Sequence, residues 1–281
     1  MNIRFKKTLE EIMEIIAVAN QKGGVAKTTT SHALAIEFSE TLKKRVLLID
    51  FDPQSSLTTI FNLKGKDYIG DHPSNVAKIF DKTIPTPIKI NEKLFFLPAN
   101  KDLTAKGESA IKGKEMMLTR YIKEIDGQYD VILIDTNPKF DSLVVNAILA
   151  ANKILTPIAT GSLDEAGTDE LFDDIDELLE LYDKKLKAVY LLPTRFNKTR
   201  KDDNEVLAII QTMIPRYLKT LKSLQNTKIE VLDTIPERSV FKDAVGARYS
   251  IRQYIEEFKT SKKDILLILE KIAKQILKGD K

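Results

Sequence analysis

Short runs of consecutive apolar residues alternate along this chain with longer stretches in which apolar residues recur every three or four positions. The short runs are Ile15–Asn20, Arg45–Asp50, Leu94–Pro98, Tyr129–Asp135, Lys153–Ala159, Leu186–Pro193 and Lys228–Ile235. Several are apolar at successive positions, as strands covered on both faces must be. The longer stretches predict helices at Thr28–Thr41, Gly107–Ile125, Ser142–Ala151, Asp164–Tyr182, Asp203–Leu224 and Ser261–Lys278. In the fourth, Leu171, Ile175, Leu178 and Tyr182 share one helical face and acids occupy the other. Alternation of this kind predicts βαβ units, hence an α/β fold: a single doubly wound domain, mostly parallel sheet, helices on both faces. No Pro/Gly/Ser-rich boundary divides residues 1–281. Residues 1–14 read as a short N-terminal extension and 260–278 as a C-terminal helix packed on the domain.

Composition changes this picture mainly by exclusion. The chain is 43% hydrophobic and 30% charged with a net charge of +3, ordinary for a globular protein and uninformative about nucleic acid. It has no cysteine, which excludes disulfides, iron–sulfur clusters and cysteine-ligated zinc and suits a reducing cytoplasm. Two histidines, His32 and His72, are too few for a histidine-rich metal site. No apolar run approaches the ~18 residues needed to span a bilayer, and the first twenty residues lack the form of a signal peptide.

Candidate chemistry lies between the first strand and the first helix, in ANQKGGVAKTTT (19–30). A glycine loop in that position lets backbone N–H groups converge on phosphate oxygens, with the helix N-terminus adding partial positive charge. The usual spacing G-x-x-x-x-G-K-[ST] would need glycine at 21 and 26, where this chain has Gln21 and Ala26; it has Gly23, Gly24 and an additional Lys22. Lys27 is placed to reach the β- and γ-phosphates and the Thr28 hydroxyl to hold Mg²⁺, with Val25, Ala26 and Thr29 completing the loop. Two further strands end in carboxylates: RVLLIDFDPQSS supplies Asp50 and Asp52, and YDVILIDTNP supplies Asp135. In open α/β sheets ligands sit beyond the carboxyl ends of strands, so all three segments should meet in one crevice.

KGGVAKTTT matches the deviant pattern K-G-G-x-x-K-[ST], and with LLIDFDPQSS it resembles the ParA/MinD group, most closely the ParA/Soj-type DNA-partitioning ATPases, from about Ile15 to Ile251. That resemblance implies ATP and Mg²⁺ as ligands and slow ATP hydrolysis. It implies that Lys22 crosses a homodimer interface to the partner's phosphates, the logic of an arginine finger. It further implies that Asp52 orients the attacking water, that Asp135 serves Mg²⁺ through water, and that Asp50 supports them. PTRFNKTR (193–200) and DTIPERS (233–239) resemble the segments enclosing adenine, which makes Asn197 and Pro236 candidate base contacts. Three positions depart from the family: Ala26 where glycine is common, Thr136-Asn137-Pro138 where two prolines are frequent, and Val240 where an arginine is common. A left-handed conformation at Ala26 would cost on the order of 1 kcal/mol and leave binding intact.

Charge is uneven. Residues 164–183 hold ten acids and no base; residues 184–228 hold eleven Lys and Arg against three acids, a net of +8. A basic stripe binds phosphate backbones without reading sequence. Relatives of this kind bind non-specific double-stranded DNA as ATP dimers, so the candidates are Arg195, Lys198, Arg200, Lys201, Lys219, Lys222, Lys242 and Arg248. The resemblance implies a cytoplasmic, nucleoid-associated ATPase released from DNA when a ParB-like centromere-binding partner stimulates hydrolysis. With about 14 residues before the first strand, no N-terminal helix-turn-helix domain is expected. A rival reading, a MinD-like membrane-associated positioning ATPase, rests on the apolar face of the last helix. Asp264, Glu270 and the lack of an aromatic anchor favour packing against the core instead.

Overall fold

A computed structural model of the chain describes residues 13–160, 165–247, 249–258 and 263–278. In chain order the first half contains β1 (Glu14–Val18), α1 (Lys27–Ile36, continued by a π-helical turn at Glu37–Thr41), β2 (Val46–Phe51), α2 (Ser56–Ile60), β3 (Ile88–Lys89), β4 (Leu94–Leu97), α3 (Asp102–Glu108) and α4 (Met117–Glu124). The second half contains β5 (Val131–Thr136), α5 (Ser142–Ala150), β6 (Lys153–Ala159), α6 (Glu165–Leu181), β7 (Ala188–Thr194), α7 (Lys201–Thr220), β8 (Lys228–Val231), α8 (Ser239–Ala247), α9 (Ile251–Glu257) and α10 (Asp264–Leu277). The strands form one sheet in the order β3-β4-β2-β5-β1-β6-β7-β8, with β3–β4 antiparallel and the other pairs parallel.

Central strands are buried along their whole length because helices cover both faces. Alternate residues feed different cores. Ile16, Val18, Val46 and Leu48 join α1, α8, α9 and α10 on one face, while Ala17, Leu47, Ile49 and Phe51 join α3, α4 and α5 on the other. A third cluster packs α5, α6 and α7 over β6 and β7. The seven predicted strands are present, within one to four residues at their ends. β3, α2, α8 and α9 were not foreseen: β3, α2 and α9 are too short for periodicity to reveal, and α8 buries only Val240 and Ala244.

Two predicted helices need correction. The stretch 107–125 holds only the last two residues of α3, then a loop and α4: Ser109 turns extended at ψ 155° and ends α3, and Gly113 at φ 68° precedes the 3₁₀ turn that leads into α4. The stretch 203–224 begins at Lys201 and ends at Thr220, where Leu221 turns extended before a single 3₁₀ turn. The last helix packs as expected. Ile265, Leu269, Ile272, Ala273 and Ile276 of α10 lie in the core, and the buried Lys153 ammonium donates to Ile276 O at 2.8 Å while pairing with Glu14 at 3.3 Å. The face a bilayer would need is therefore occupied, and among the described residues no helix is long and apolar enough to cross a membrane.

Candidate functional site

Parallel pairing of β1, β5 and β2 brings their carboxyl ends to one edge: Val18 lies level with Asp135, and Asp135 level with Asp50. The loop leaving β1 is pinned from both sides. Asn20 Nδ2 donates to Pro157 O (2.8 Å), Asn20 Oδ1 accepts Lys22 N (2.8 Å), and Thr194 Oγ1 donates to Val25 O (3.1 Å). Gly24 at φ 78° and Ala26 at φ 69° turn the backbone left-handed, and Ala26 is the N-cap of α1. A Cβ at Gly23 or Gly24 would meet no protein atom within 4 Å, so both glycines leave open space at the loop rim.

Into this loop α1 projects the buried Lys27, whose ammonium donates to Asn20 O (2.9 Å) and Lys22 O (3.0 Å). Burial lowers its pKa, and the charges of Asp135 and Asp52 oppose that shift. Asp135 is fully buried; its Oδ1 accepts from Ser31 Oγ at 2.7 Å, whereas Oδ2 is buried without a hydrogen-bond partner. Burial pushes its pKa up to about 6, against the hydroxyls of Ser31 and Thr28. Asp52 accepts Gln54 N at 2.9 Å, and burial raises its pKa too, with Lys27 pulling the other way. Asp50 is a brace: it accepts Thr58 N (2.8 Å), Thr58 Oγ1 (2.7 Å) and Asp52 N (3.2 Å). Burial, with Asp135 adjacent, pushes its pKa up to about 8.

These residues suit a phosphate chain and a hard divalent cation. Asp135 keeps one buried oxygen without a hydrogen-bond partner, and Mg²⁺ characteristically takes one or two protein oxygens and fills its shell with water and phosphate. Correspondingly, no cluster of three or more metal-ligating side chains occurs among the described residues.

Beside the loop lies a cavity of ≈ 490 Å³, walled by Ala26, Thr29 and Thr30 on one side and Thr194, Pro236 and Glu237 on the other. Pro236 is thus where a base contact was expected. Asn197 is not among the residues lining this cavity. Its Oδ1 closes a turn on Thr199 N (3.1 Å) and Thr199 Oγ1 (2.8 Å), and its backbone N–H donates to Asp203 (2.6 Å). Sequence reasoning missed Ser31, Asn20 and Thr194. Ser31 had a signal, standing four residues after Lys27 on the face that meets β5; the other two had none.

The predicted DNA-binding residues do not form one surface. Arg195 and Arg200 both pair with Glu237, and Lys201 pairs with Glu205. Arg195 and Lys242 line the cavity, and Lys198 is exposed. Lys219 and Lys222 stand at the far end of the 20-residue α7, about 30 Å away at 1.5 Å per residue. Arg248 lies outside the described residues. The acidic α6 is partly answered by its neighbours, Asp169 by Arg216 and Tyr217, Asp174 by Gln21 and Asp176 by Ser223 N.

Comparison with known proteins bears on this site. The family model AAA_31, an AAA domain, matches residues 13–188. The cell division protein PomZ of Myxococcus xanthus is 31% identical over 218 residues, covering 74% of this chain and 66% of PomZ. Among solved structures, a cobyrinic acid a,c-diamide synthase from Mycobacterium smegmatis with a bound ATP analogue and magnesium is 29% identical, with a TM-score of 0.65, covering 72% of this chain and 80% of that one. A putative plasmid partition protein from Borrelia burgdorferi B31 bound to AMPPNP is 26% identical, with a TM-score of 0.66, covering 91% and 99%.

Proposed function

Because the chain belongs to the AAA_31 family, as a ParA/MinD-type P-loop ATPase, we propose that it is a DNA-partition ATPase that binds ATP with Mg²⁺, dimerises, and holds non-specific DNA until hydrolysis releases it. One observation carries this reading: Lys27, Asp52 and Asp135 converge on a pinned loop that also carries Lys22. PomZ and the Borrelia partition protein support the cellular role, and the nucleotide-bound neighbours support the ligands.

Gly23 to Thr29 hold the phosphates through backbone N–H groups at the start of α1. Thr28, with Asp135 through water, would hold Mg²⁺, and the ion would supply positive charge to the phosphates. Lys27 adds its own charge from inside the loop, and Asp52, steadied by Gln54 N, orients water for attack. ATP and water give ADP and phosphate, slowly, since positioning and charge neutralisation do most of the work. Lys22 reaches the partner subunit's phosphates, which makes dimerisation depend on ATP. A ParB-like centromere-binding partner then accelerates turnover on the nucleoid. The MinD-like alternative lacks its main support, because the apolar face of α10 is in the core.

The test is retention of a random-sequence DNA duplex by the full chain with ATP, ADP or no nucleotide. Retention with ATP alone is expected; equal retention in all three overturns the reading.

A further inference from the structure

The arginines expected to meet DNA are held by an acid that belongs to the nucleotide cavity. Glu237 lines that cavity, and its two carboxylate oxygens each take a different guanidinium: Oε1 accepts a hydrogen bond from Arg195 at 3.3 Å and Oε2 forms an ion pair with Arg200 at 2.9 Å. The backbone fixes this meeting. Phe196 N donates to Ile235 O (3.0 Å), Glu237 N donates to Phe196 O (2.9 Å), and Phe196 bridges Pro236 in parallel, so the segment after β7 is zipped to the segment before α8. Arg195 sits at φ 57°, a left-handed conformation rare for residues with a side chain, and it also lines the cavity.

We propose that Glu237 couples nucleotide to DNA: it holds Arg195 and Arg200 until a nucleoside, of ATP or ADP alike, enters the cavity, and the freed arginines then meet the phosphate backbone once the ATP dimer has formed. The inference rests on the partition-ATPase reading. Its chemistry is competition for a carboxylate. A nucleoside brings hydroxyl and amino donors to a cavity in which Glu237 is the carboxylate on the wall. Each donor that bonds Glu237 competes with a guanidinium for the charge and lone pairs of its oxygens. Both ion pairs are weak enough to exchange, since the Arg195 and Arg200 side chains are 56% and 50% exposed. While clamped, two cations and one anion present a net charge of +1 with a carboxylate facing any incoming phosphate. Released, the same two arginines join Lys242, which lines the cavity, and the exposed Lys198 as cations available to phosphate. Coupling of this kind is reciprocal, so DNA must tighten nucleotide binding by the factor with which nucleotide tightens DNA binding.

The experiment compares wild type, Glu237→Gln and Glu205→Gln, measuring affinity for a fluorescent random-sequence duplex with and without Mg²⁺-AMPPNP. Glu205→Gln removes the same charge beside Lys201 without touching the cavity. Glu237→Gln is expected to raise nucleotide-free affinity about tenfold, within the usual range of couplings, and to leave AMPPNP-bound affinity unchanged. Glu205→Gln should lift both states equally. If Glu237→Gln lifts both states equally, or neither, the coupling is refuted. A second readout needs no DNA: phenylglyoxal modification of wild-type Arg195 and Arg200, mapped by mass spectrometry. AMPPNP should increase it, and an unchanged rate refutes the clamp. Labelling that responds to AMPPNP in a chain whose DNA retention ignores nucleotide would sink the partition reading and leave the clamp standing.

Discussion

At the scale of single residues, Ala26 and His32 invite direct tests. Ala26 holds φ 69° and ψ 28°, a conformation costing an L-residue roughly 1–2 kcal/mol, partly offset in glycine by the entropy of its unfolded chain. Ala26→Gly should therefore raise stability to urea by about 0.5–1 kcal/mol, and wild type should still bind ATP in a calorimetric titration. An unchanged midpoint would mean the loop has relaxed the strain. His32 is 4% exposed, edge-on to Phe61 with centroids 5.0 Å apart, and burial pushes its pKa down to about 4. It stays neutral in the fold while the unfolded chain takes up a proton near pH 6.5, so its contribution is full above pH 6.5 and is lost as pH falls toward 4. The loss is on the order of 3 kcal/mol. Asp50 and Asp135, with raised values, slope the opposite way, so the measurable quantity is a difference. Unfolding free energies of wild type and His32→Gln should converge with acidity over that window; parallel curves would exclude the effect. The loop residues were readable from the sequence because glycines, lysines and threonine carry their chemistry at fixed spacing. Asn197 closes an Asx turn on Thr199 through Oδ1, a use of the side chain that sequence alone does not separate from a base contact.

Elements were legible where a period or a continuous apolar run could be counted. β2, β5, β6 and β7 are buried at every position, and α6 shows its apolar stripe at helical spacing. α9 was hidden by brevity, the capping box of Ser250 and Gln253 preceding only seven helical residues, and α8 by burying only Val240 and Ala244. Ser109 ends α3 and Gly113 precedes the turn into α4, where periodicity alone predicted one helix. α10 tests the packing argument most directly. Leu269 is 1% exposed in the core, so Leu269→Ala should cost about 2–5 kcal/mol in a urea titration. Wild type should also stay in the supernatant when anionic vesicles are sedimented with ATP. A neutral Leu269→Ala together with vesicle binding would mean that the helix leaves its groove.

For the whole molecule, the parallel sheet was foreseeable, whereas the surface was not. The net +8 of residues 184–228 suggested one basic face, but charge along a sequence says nothing about which acids fold back upon it. Glu237 clamps Arg195 and Arg200, Asp169 takes Arg216, and α7 holds Lys201 at its start apart from Lys219 near its end. Assembly gives the global prediction: light scattering of wild type with Mg²⁺-AMPPNP should show a dimer, and Lys22→Ala should remain monomeric while still binding the nucleotide. A dimer that survives Lys22→Ala would leave that lysine with no part in association. The sheet order also bears on how the molecule is made. β1 carries the phosphate loop, yet both its neighbours, β5 and β6, emerge from the ribosome far later; Ile15 N is bonded to Asn152, 137 positions downstream. A nascent chain therefore holds its glycine loop slack through the first half of its synthesis and acquires a grip on nucleotide only when the sheet closes around β1.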